Sequence, residues 1–413
     1  MRTMTRVLVV GGGPAGLAAA VAAARRGVPT ALIERYGFLG GLATSGLVNP
    51  FMPWHLGTQP LVAGVFQELL DRMAALGGYD RARWGEAFDT EAMKLAADAL
   101  CQQAGVRVRL HTLLTAARVA KGRITSVTTE SKSGREQWRA RVFVDATGDA
   151  DLALRAGVPC DEGRQADGRT QPMTLCFRMA NVTTARMPSR GEINRLYDRA
   201  KEQGRITCPR ENVLWFHTTQ PGVVHFNTTR VTGRSGVIPD DLTYAELEAR
   251  RQMRELVQFL VRDVPGFKGA YLQQSAPQIG IRETRRIQGE YALTGADVVK
   301  GRKFRDGIAR SNYPIDIHSP TGAGTVIKTP PAGDYYEIPY RCLLPLQVDN
   351  LLVAGRCVSA THEGQSALRI IPTCFAMGEA AGTAAALALA RGLPPRQLPP
   401  KDLRRELGYE TIR

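Results

Sequence analysis

A glycine-rich turn between an apolar strand and a small-residue helix constrains this chain more than any other feature. Residues 6–10 form a short continuous apolar run, Gly11-Gly12-Gly13-Pro14-Ala15-Gly16 follows at once, and residues 14–26 have the composition of a helix. A buried parallel strand, a tight glycine turn and a helix are the opening of a dinucleotide-binding unit. The sequence therefore predicts an α/β fold built on a doubly wound, mostly parallel sheet.

Each glycine of this fingerprint has its own role. Gly11 permits the tight turn, Gly13 lets the backbone approach a pyrophosphate, and Gly16 allows close packing of helix on strand. Residues 29–34 predict the next strand, which ends at Glu34, near the spacing expected for an acid that binds ribose hydroxyls. Its charge would repel a ribose 2′-phosphate, which disfavours NADP as the ligand, whereas the fingerprint leaves NAD and FAD open.

Further strands extend this first unit. Helical periodicity covers residues 61–76 and 90–104, and residues 106–144 alternate like a small β-meander broken at Lys121-Gly122 and Ser133-Gly134. Two other apolar strands, 142–144 and 351–354, run into Asp145-Ala146-Thr147-Gly148-Asp149 and Gly355-Arg356. We expect these two strand ends to form parts of one site.

The middle of the chain has a different character. Residues 173–180, 213–216 and 223–229 alternate like an antiparallel sheet, and residues 244–261 form an amphipathic helical pattern. We interpret residues 161–334 as an inserted mixed α+β substrate or cap domain. It interrupts a Rossmann-like nucleotide-binding domain made of residues 1–160 and 335–413, to which the last long helix, 373–390, belongs.

Charge and cysteine content narrow the functional classes. The 413 residues carry a formal charge of +15 without a dense basic run, which favours an anionic small molecule over stable nucleic-acid binding. The seven cysteines include no CxxC pair, so we expect a reducing cytoplasm and neither a disulfide framework nor a metal site. The sequence predicts neither an export signal nor a membrane span.

The order of the remaining motifs resembles a known superfamily. Gly40-Gly41-Leu42-Ala43-Thr44, Ala146 to Asp149, and Ala354-Gly355-Arg356 followed by Pro372 and Gly378 are similar to the flavoproteins typified by glutathione reductase and fumarate reductase. The chain most resembles their FAD-dependent oxidoreductase family, which includes the flavin domain of heterodisulfide reductase. This likeness implies FAD as the cofactor.

The resemblance also implies which residues hold the cofactor. Gly11, Gly13, Pro14, Ala15 and Gly16 would meet the pyrophosphate. Glu34 and Arg35 would bind the AMP ribose and phosphates. The other implied positions are Gly41, Ala43 and Thr44 along the ribityl chain and flavin edge, Thr147, Gly148 and Asp149 near the adenine half, Gly355 and Arg356 near the pyrophosphate and ribityl chain, and Ile370, Ile371 and Thr373 under the flavin pyrimidine.

Departures from these relatives narrow the expected chemistry. Arg356 stands where many of them have an acid, so we expect a phosphate or partner contact in place of a ribityl hydrogen bond. Residues 40–46 contain no histidine, which predicts non-covalent FAD. Iron-sulfur cysteine clusters and a second dinucleotide fingerprint are missing, so we expect neither electron bifurcation nor a resident NAD(P)H site.

Four residues are candidates for catalysis. His362 and Arg369 lie between the Gly355-Arg356 motif and the last helix, where an imidazole would take a proton and a guanidinium would hold a carboxylate. Arg282 and His318 are the reserve pair. Strand alternation predicts Arg282 and Arg286 on one face of a strand and Arg285 on the other.

These features predict an FAD-dependent dehydrogenase or oxidase that removes hydride from, or reduces, a small anionic organic substrate at flavin N5. Two alternatives stay open: a flavin-dependent RNA-modifying protein, suggested by the charge, and a flavin subunit that passes electrons to a partner protein. The sequence is compatible with a homo-oligomer and leaves the substrate, the direction of reaction and the electron acceptor open.

Overall fold

The computed structural model describes residues 2–409. Its strands are β1 Arg2–Met4, β2 Val7–Val10, β3 Thr30–Ile33, β4 His55–Leu56, β5 Gln59–Pro60, β6 Arg107–Arg109, β7 Leu113–Ala120, β8 Arg123–Ser131, β9 Gly134–Arg139, β10 Val142–Asp145, β11 Cys160–Glu162, β12 Phe177–Ala180, β13 Trp215–His217, β14 Val224–Phe226, β15 Tyr271–Ser275, β16 Arg285–Ile287, β17 Gly307–Ser311, β18 Ile315–His318, β19 Thr325–Lys328, β20 Tyr336–Pro339 and β21 Leu351–Val353. Its α-helices are α1 Pro14–Arg25, α2 Val65–Ala75, α3 Arg81–Trp84, α4 Thr90–Gln103, α5 Asp151–Arg155, α6 Arg190–Glu202, α7 Pro239–Asp263, α8 Gly295–Val299, α9 His362–Leu368, α10 Ile371–Arg391 and α11 Pro400–Glu406. Short 3₁₀ turns occupy Gly41–Ala43, Thr184–Arg186, Tyr340–Leu343 and Pro395–Gln397.

A five-stranded sheet forms the centre of the molecule. Its order is β21-β10-β2-β3-β6, and every neighbouring pair is parallel. All residues of β2, β3, β10 and β21 are buried, which explains why these strands appear in the sequence as continuous apolar runs. The carboxyl ends of β2, β10 and β21 therefore meet at one edge, as the sequence predicts.

The predicted β-meander is also present. Strands β7, β8 and β9 form an antiparallel sheet that β1 extends by parallel pairing with β9. The turn between β7 and β8 is Lys121-Gly122, and both residues have the positive φ that a tight hairpin turn requires. The α/β fold with a Rossmann-like parallel sheet and an added meander is thus confirmed.

Helix α10 packs along α1 on one face of the central sheet. A Cβ atom at Gly378 or at Gly382 would collide with the carbonyl oxygens of Ala15 and Ala19, so glycine permits this close approach. By length and composition alone, α10 is long and apolar enough to cross a membrane. Its apolar window is 78% buried inside the protein, which accounts for the apolar composition.

A second antiparallel sheet has its own core. Its order is β13-β14-β12-β15, and α6 and α7 pack on it around Phe177, Tyr197, Phe226 and Phe259. The sequence predicts β12, β13, β14 and the long helix α7, but it misses β15 and α6. Helix α7 begins earlier than predicted, at Pro239, where proline occupies the first helical turn together with Asp240 and Asp241.

The chain returns to the first core before residue 335. The second core includes Ile281, but Ile287, Leu293 and the segments after them pack with the central sheet. Packing therefore places the return from one core to the other near residue 285. The predicted division of the chain into domains at residues 160 and 335 stays a prediction.

Candidate active site

One cavity of about 500 Å³ runs from the glycine fingerprint to the second sheet. Its wall includes the carboxyl ends of β2, β10 and β21, the start of α10, and the inner face of the second sheet. Fifteen predicted cofactor residues line it: Gly11, Gly13, Pro14, Ala15, Glu34, Arg35, Gly41, Ala43, Thr147, Gly148, Asp149, Gly355, Arg356, Ile370 and Ile371. Arg282, His318 and Arg369, three of the four predicted catalytic residues, line it as well.

The fingerprint forms a tight turn at one end of the cavity. Gly11 has φ +101°, and a Cβ there would run into the backbone of Ala146, so the turn requires glycine. Gly13 caps α1, and Pro14 occupies the first helical position. The unpaired N–H groups at the start of α1 thus lie at the cavity, an arrangement that favours a phosphate.

Glu34 closes this end of the site. Its Oε2 accepts a hydrogen bond from the Gly12 N–H at 2.6 Å, and its Oε1 accepts one from the Tyr36 N–H at 2.9 Å. Burial raises the pKa of Glu34, although these backbone bonds oppose the shift. Because a carboxylate has about four acceptor positions, Glu34 retains the capacity to bind ribose hydroxyls.

Arg356 connects the motif at Gly355 to the motif at Gly148 and Asp149. Its Nε donates to the Gly148 carbonyl at 2.9 Å, its Nη1 to the Ile281 carbonyl at 2.7 Å, and its Nη2 to Asp149 Oδ1 at 2.5 Å. Arg356, which stands where many relatives have an acid, therefore uses its guanidinium for contacts within the protein. Arg356 ties the ends of β10 and β21 to the segment that precedes β16.

Three predicted cofactor residues do not line the cavity. Gly16 lies beneath the fingerprint turn, where a Cβ would collide with the Gly11 carbonyl. The Thr44 hydroxyl donates within its own 3₁₀ turn to the Leu39 carbonyl, and Thr373 bonds to Ser311. The neighbouring side chains Ser45 and Cys374 line the cavity in place of Thr44 and Thr373.

Arg282 lies on the wall formed by the second sheet. Its Nη1 donates to the Pro172 carbonyl at 2.8 Å and to the Thr174 hydroxyl at 2.6 Å, and its Nη2 donates to Asn227 Oδ1 at 3.2 Å. All three acceptors are neutral. Burial and then the charge of Arg369 lower the pKa of Arg282 to about 9, so the group keeps its charge at neutral pH without a carboxylate partner.

The strand alternation predicted for the three neighbouring arginines is wrong. Strand β16 begins at Arg285, so Arg282 lies before it and period-two alternation does not apply. Arg286 instead bonds to Glu283, and Arg285 bonds to Asp151 at 2.7 Å. Of the three, only Arg282 lines the cavity.

Asp316 contacts three other side chains that line the cavity, those of Tyr313, His318 and Arg369. Tyr313 donates its hydroxyl proton to Asp316 Oδ2 at 2.8 Å, and Arg369 Nη2 lies 3.2 Å from the Asp316 carbonyl and 3.4 Å from Oδ2. Burial works against the charged carboxylate, but the hydrogen bond from His318 and the charge of Arg369 lower its pKa. Burial and the Asp316 charge raise the pKa of Tyr313, so its phenol stays protonated at neutral pH.

His318 has no free nitrogen for proton transfer. Arg230 Nη2 lies 3.1 Å from Nδ1, and because a guanidinium only donates, Nδ1 is the acceptor. The proton of the neutral ring therefore lies on Nε2, which faces Asp316 Oδ1 at 3.6 Å. Burial and then Arg282 lower the pKa of His318 to about 3, so the ring is neutral near pH 7.

His362 lies away from the cavity wall. Its Nδ1 is 2.8 Å from Glu283 Oε1, and Glu283 also pairs with Arg286 and accepts from the Gln171 N–H. His362 and Glu283 are both almost completely buried. The structure thus separates His362 from Arg369, which the sequence predicts to share one small cavity.

With this geometry established, the comparisons with known proteins identify the chemistry. The sequence pattern of the family described as FAD dependent oxidoreductase matches residues 6–407. The chain belongs to this FAD-dependent oxidoreductase family. No curated protein matches its sequence.

Solved structures of other flavoproteins share the fold of this family member. A geranylgeranyl bacteriochlorophyll reductase-like protein from Thermoplasma acidophilum has a TM-score of 0.51 at 13% identity, over 98% of this chain and 84% of that one. p-Nitrophenol 4-monooxygenase from Pseudomonas putida DLL-E4 gives 0.50 at 13% identity, and the flavin-dependent brominase Bmp2 gives 0.50 at 14%, each with the same coverage. At these identities the likeness establishes the fold alone.

The cavity of this FAD-dependent oxidoreductase fits its cofactor. Gly13 and Gly41 face each other, and a Cβ at Gly41 would lie 2.8 Å from the Gly13 Cα, so side chains there would close the passage. The fingerprint offers backbone donors, and Glu34 offers acceptors at the spacing that a nucleotide requires. FAD is therefore the cofactor, and the fingerprint end of the cavity suits its adenosine and pyrophosphate.

Sequence reasoning missed two groups on the far wall. Tyr313 and Arg210 line the cavity, yet neither belongs to a glycine motif or to a recognisable pattern. The one available signal for Tyr313 is its position five residues before His318, which the sequence predicts as a candidate catalytic residue. For Arg210 the sequence offers no signal.

Proposed function

We propose that this FAD-dependent oxidoreductase transfers hydride between flavin N5 and a small anionic organic substrate. The observation that carries the proposal is the continuity of the cavity: the space bordered by the fingerprint Gly11 is also bordered by Arg282 and Arg369. When bound, FAD supplies a two-electron acceptor or donor. The chain's own residues supply the binding of the anion and the proton transfer.

The proposal assigns anion binding to Arg282 and Arg369. Arg282 donates its hydrogen bonds to neutral acceptors. Arg369 pairs with Asp316 at 3.4 Å, and that carboxylate also contacts Tyr313 and His318. A guanidinium fork holds a carboxylate through two parallel hydrogen bonds and so fixes its orientation. These two side chains would position the substrate against the start of α10.

Proton transfer is assigned to Tyr313, with Asp316 as its positioning partner. The phenol is protonated at neutral pH and lines the cavity, so it acts as a proton donor when the substrate is reduced. We propose that His318 orients Asp316 and that His362 stabilises the junction around Glu283.

The second core has a role of its own in this proposal. We propose that residues 161 to about 281, the part of the predicted insertion that forms the second core, cap the cofactor and select the substrate. FAD is proposed to be non-covalent. We also propose the finer relationship to the glutathione reductase and fumarate reductase superfamily, and to the flavin domain of heterodisulfide reductase, with which hydride chemistry would agree.

Neither alternative function gains support from a specific observation. The comparisons return flavin enzymes, whose named reactions belong to those proteins. We therefore retain one proposed function for this chain.

The experiment is anaerobic reduction of the purified holoenzyme. A panel of small organic acids and their uncharged esters or amides is mixed with the protein, and bleaching of the flavin absorbance is followed. We expect saturable bleaching with a subset of the acids and none with the matched uncharged compounds. Bleaching by uncharged compounds alone would contradict the proposal. The variant Arg282→Gln should bind FAD normally and lose the saturable phase.

A further inference from the structure

Arg210 is a buried cation on the cavity wall that the structure leaves without a counter-charge. It is 3% exposed and borders the same cavity as Arg282. Its one side-chain hydrogen bond within the described residues joins Nε to Asn212 Oδ1 at 3.4 Å. Its Nη1 is buried and has no hydrogen-bond partner.

The main chain, and not the guanidinium, holds Arg210 in place. Its carbonyl oxygen accepts a hydrogen bond from the Tyr197 hydroxyl at 3.1 Å and another from Lys201 Nζ at 2.9 Å, both from α6. The fold therefore fixes the position of this residue without using its charged end. That end is left available for a ligand.

The nearest acid is already committed to another cation. Glu211 Oε2 lies 2.9 Å from Arg230 Nη1 and accepts the Gly324 N–H, and its Oε1 accepts the Thr325 hydroxyl at 3.2 Å. Burial and then the Arg230 charge lower the pKa of Arg210, and the charges of Glu211 and Asp316 oppose this shift without making an ion pair with Arg210.

By contrast, three other arginines in or next to the cavity pair with carboxylates. Arg230, Arg286 and Arg356 each lie within ion-pair distance of a carboxylate, from Glu211, Glu283 and Asp149 respectively. Among the described arginines that line the cavity and are not exposed, Arg210 and Arg282 have no carboxylate within this distance. A buried charge without a counter-ion is unfavourable, and two such charges in one cavity favour a ligand that carries two negative charges.

We propose that Arg210 and Arg282 form an anion subsite that makes the substrate a dianion, either a dicarboxylate or a phosphate monoester. The inference rests on the proposed function and adds a charge count and a further specificity-determining residue to it. Arg369 keeps the Asp316 carboxylate as its partner, so it does not supply a further unmatched charge.

The first test compares ligands of matched chain length. Pentanoate, pentanedioate and propyl phosphate are titrated into the holoenzyme, and binding is followed by the change in the flavin absorbance spectrum. We expect at least one dianion to bind about tenfold or more tightly than pentanoate, because each hydrogen-bonded charge pair strengthens binding by that order. The two dianions distinguish a dicarboxylate site from a phosphate site.

The second test removes the proposed charge. Arg210→Gln should lower the affinity for the preferred dianion to that for pentanoate, and Arg210→Lys should restore part of the difference. Arg250→Gln is the matched control, because it removes an exposed arginine of α7 that pairs with Glu246. The control should leave both affinities unchanged. FAD content and the melting temperature report on folding in every variant.

Three outcomes would overturn the inference. Equal binding of pentanoate and both dianions to the wild type contradicts the charge count but leaves an anionic substrate in place. A uniform loss of all three ligands in Arg210→Gln, with no recovery in Arg210→Lys, contradicts the specific role of Arg210. If no anion binds and only uncharged compounds bleach the flavin, the proposed function fails together with the inference.

Discussion

The Gly12 N–H donates to Glu34 Oε2 across 2.6 Å, so the carboxylate that closes the nucleotide site is held by the fingerprint itself. Glu34 directly follows β3, and Gly12 lies in the turn after β2. A single hydrogen bond thus fixes the distance between the proposed pyrophosphate and ribose positions. Cofactor affinity should depend on this contact as well as on any contact that Glu34 makes with the ribose.

We predict that Glu34→Gln weakens FAD binding by about tenfold to a hundredfold, because hydrogen bonds to a charged acceptor are each stabilising by ~1.5–3 kcal/mol. The dissociation constant of FAD is measured by fluorescence titration of the apoprotein. Glu379→Gln is the control, since Glu379 also accepts a backbone N–H, that of Val65, but does not line the cavity. Equal FAD affinities in the two variants would contradict the role of Glu34.

FAD should be released by acid. Residues 40–46 contain no histidine, and both ring nitrogens of His318 face protein partners. Precipitation of the holoenzyme with acid should therefore leave all yellow colour in the supernatant. Colour retained by the washed pellet would show a covalent bond and contradict this prediction.

Arg369→Lys should raise KM and lower kcat/KM by about tenfold to a hundredfold, because a lysine point charge does not reproduce a bidentate fork. FAD content should stay near that of the wild type. Steady-state kinetics with a substrate found by flavin bleaching provide the measurement. Arg341→Lys is a suitable control, since Arg341 pairs with Asp306 and lies outside the cavity lining. Unchanged kinetics in Arg369→Lys would remove this residue from substrate binding.

The cofactor half of the site could be predicted because its signals are local. Gly11, Gly148 and Gly355 each follow a short apolar strand, and parallel pairing of these strands brings the three glycines to one sheet edge. Two of the errors there, at Thr44 and Thr373, are displacements by one residue along the chain. The 3₁₀ turn at Gly41–Ala43 directs Ser45 into the cavity in place of Thr44, and the sequence contains no signal for that turn.

The substrate half could not be predicted because its contacts connect distant segments. His362 has the sequence position of a catalytic residue, but Glu283, 79 residues earlier, draws its ring into a buried junction. Tyr313 and Arg210 reach the cavity from separate elements, and only tertiary packing brings them together. Single-residue patterns contain no information about such contacts.

Tyr313→Phe should lower kcat by about 10²–10⁴, the usual contribution of a positioned proton donor, while ligand affinity and FAD content stay unchanged. Tyr336→Phe is the matched control, because the buried Tyr336 hydroxyl donates to the Ala367 carbonyl at 3.0 Å away from the cavity. That variant should lose stability but retain kcat. A wild-type kcat in Tyr313→Phe would contradict the assignment of proton transfer to Tyr313.

The last prediction concerns stability in acid. His225 is buried on β14, and neither ring nitrogen has a hydrogen-bond partner in the described part of the chain. Burial and then the Arg178 charge lower its pKa to about 3, below the ~6.5 of an unfolded histidine. The unfolded protein therefore takes up a proton as the pH falls below ~6.5, whereas the folded protein does not until near pH 3. Stability is present above this window and is lost within it.

We expect His225→Gln to reduce the loss of folding free energy between pH 7 and pH 5 by about 2 kcal/mol, since glutamine takes up no proton in either state. Urea unfolding of the holoenzyme at the two pH values measures the difference. His217→Gln on the neighbouring strand is the control, because this exposed imidazole is hydrated in both states and its removal should leave the acid loss as in the wild type. His318 remains in both variants, so part of the acid sensitivity should persist. If His225→Gln lost as much stability in acid as the wild type, His225 would have to become protonated in the folded protein. That result would contradict the lowered pKa of this buried imidazole.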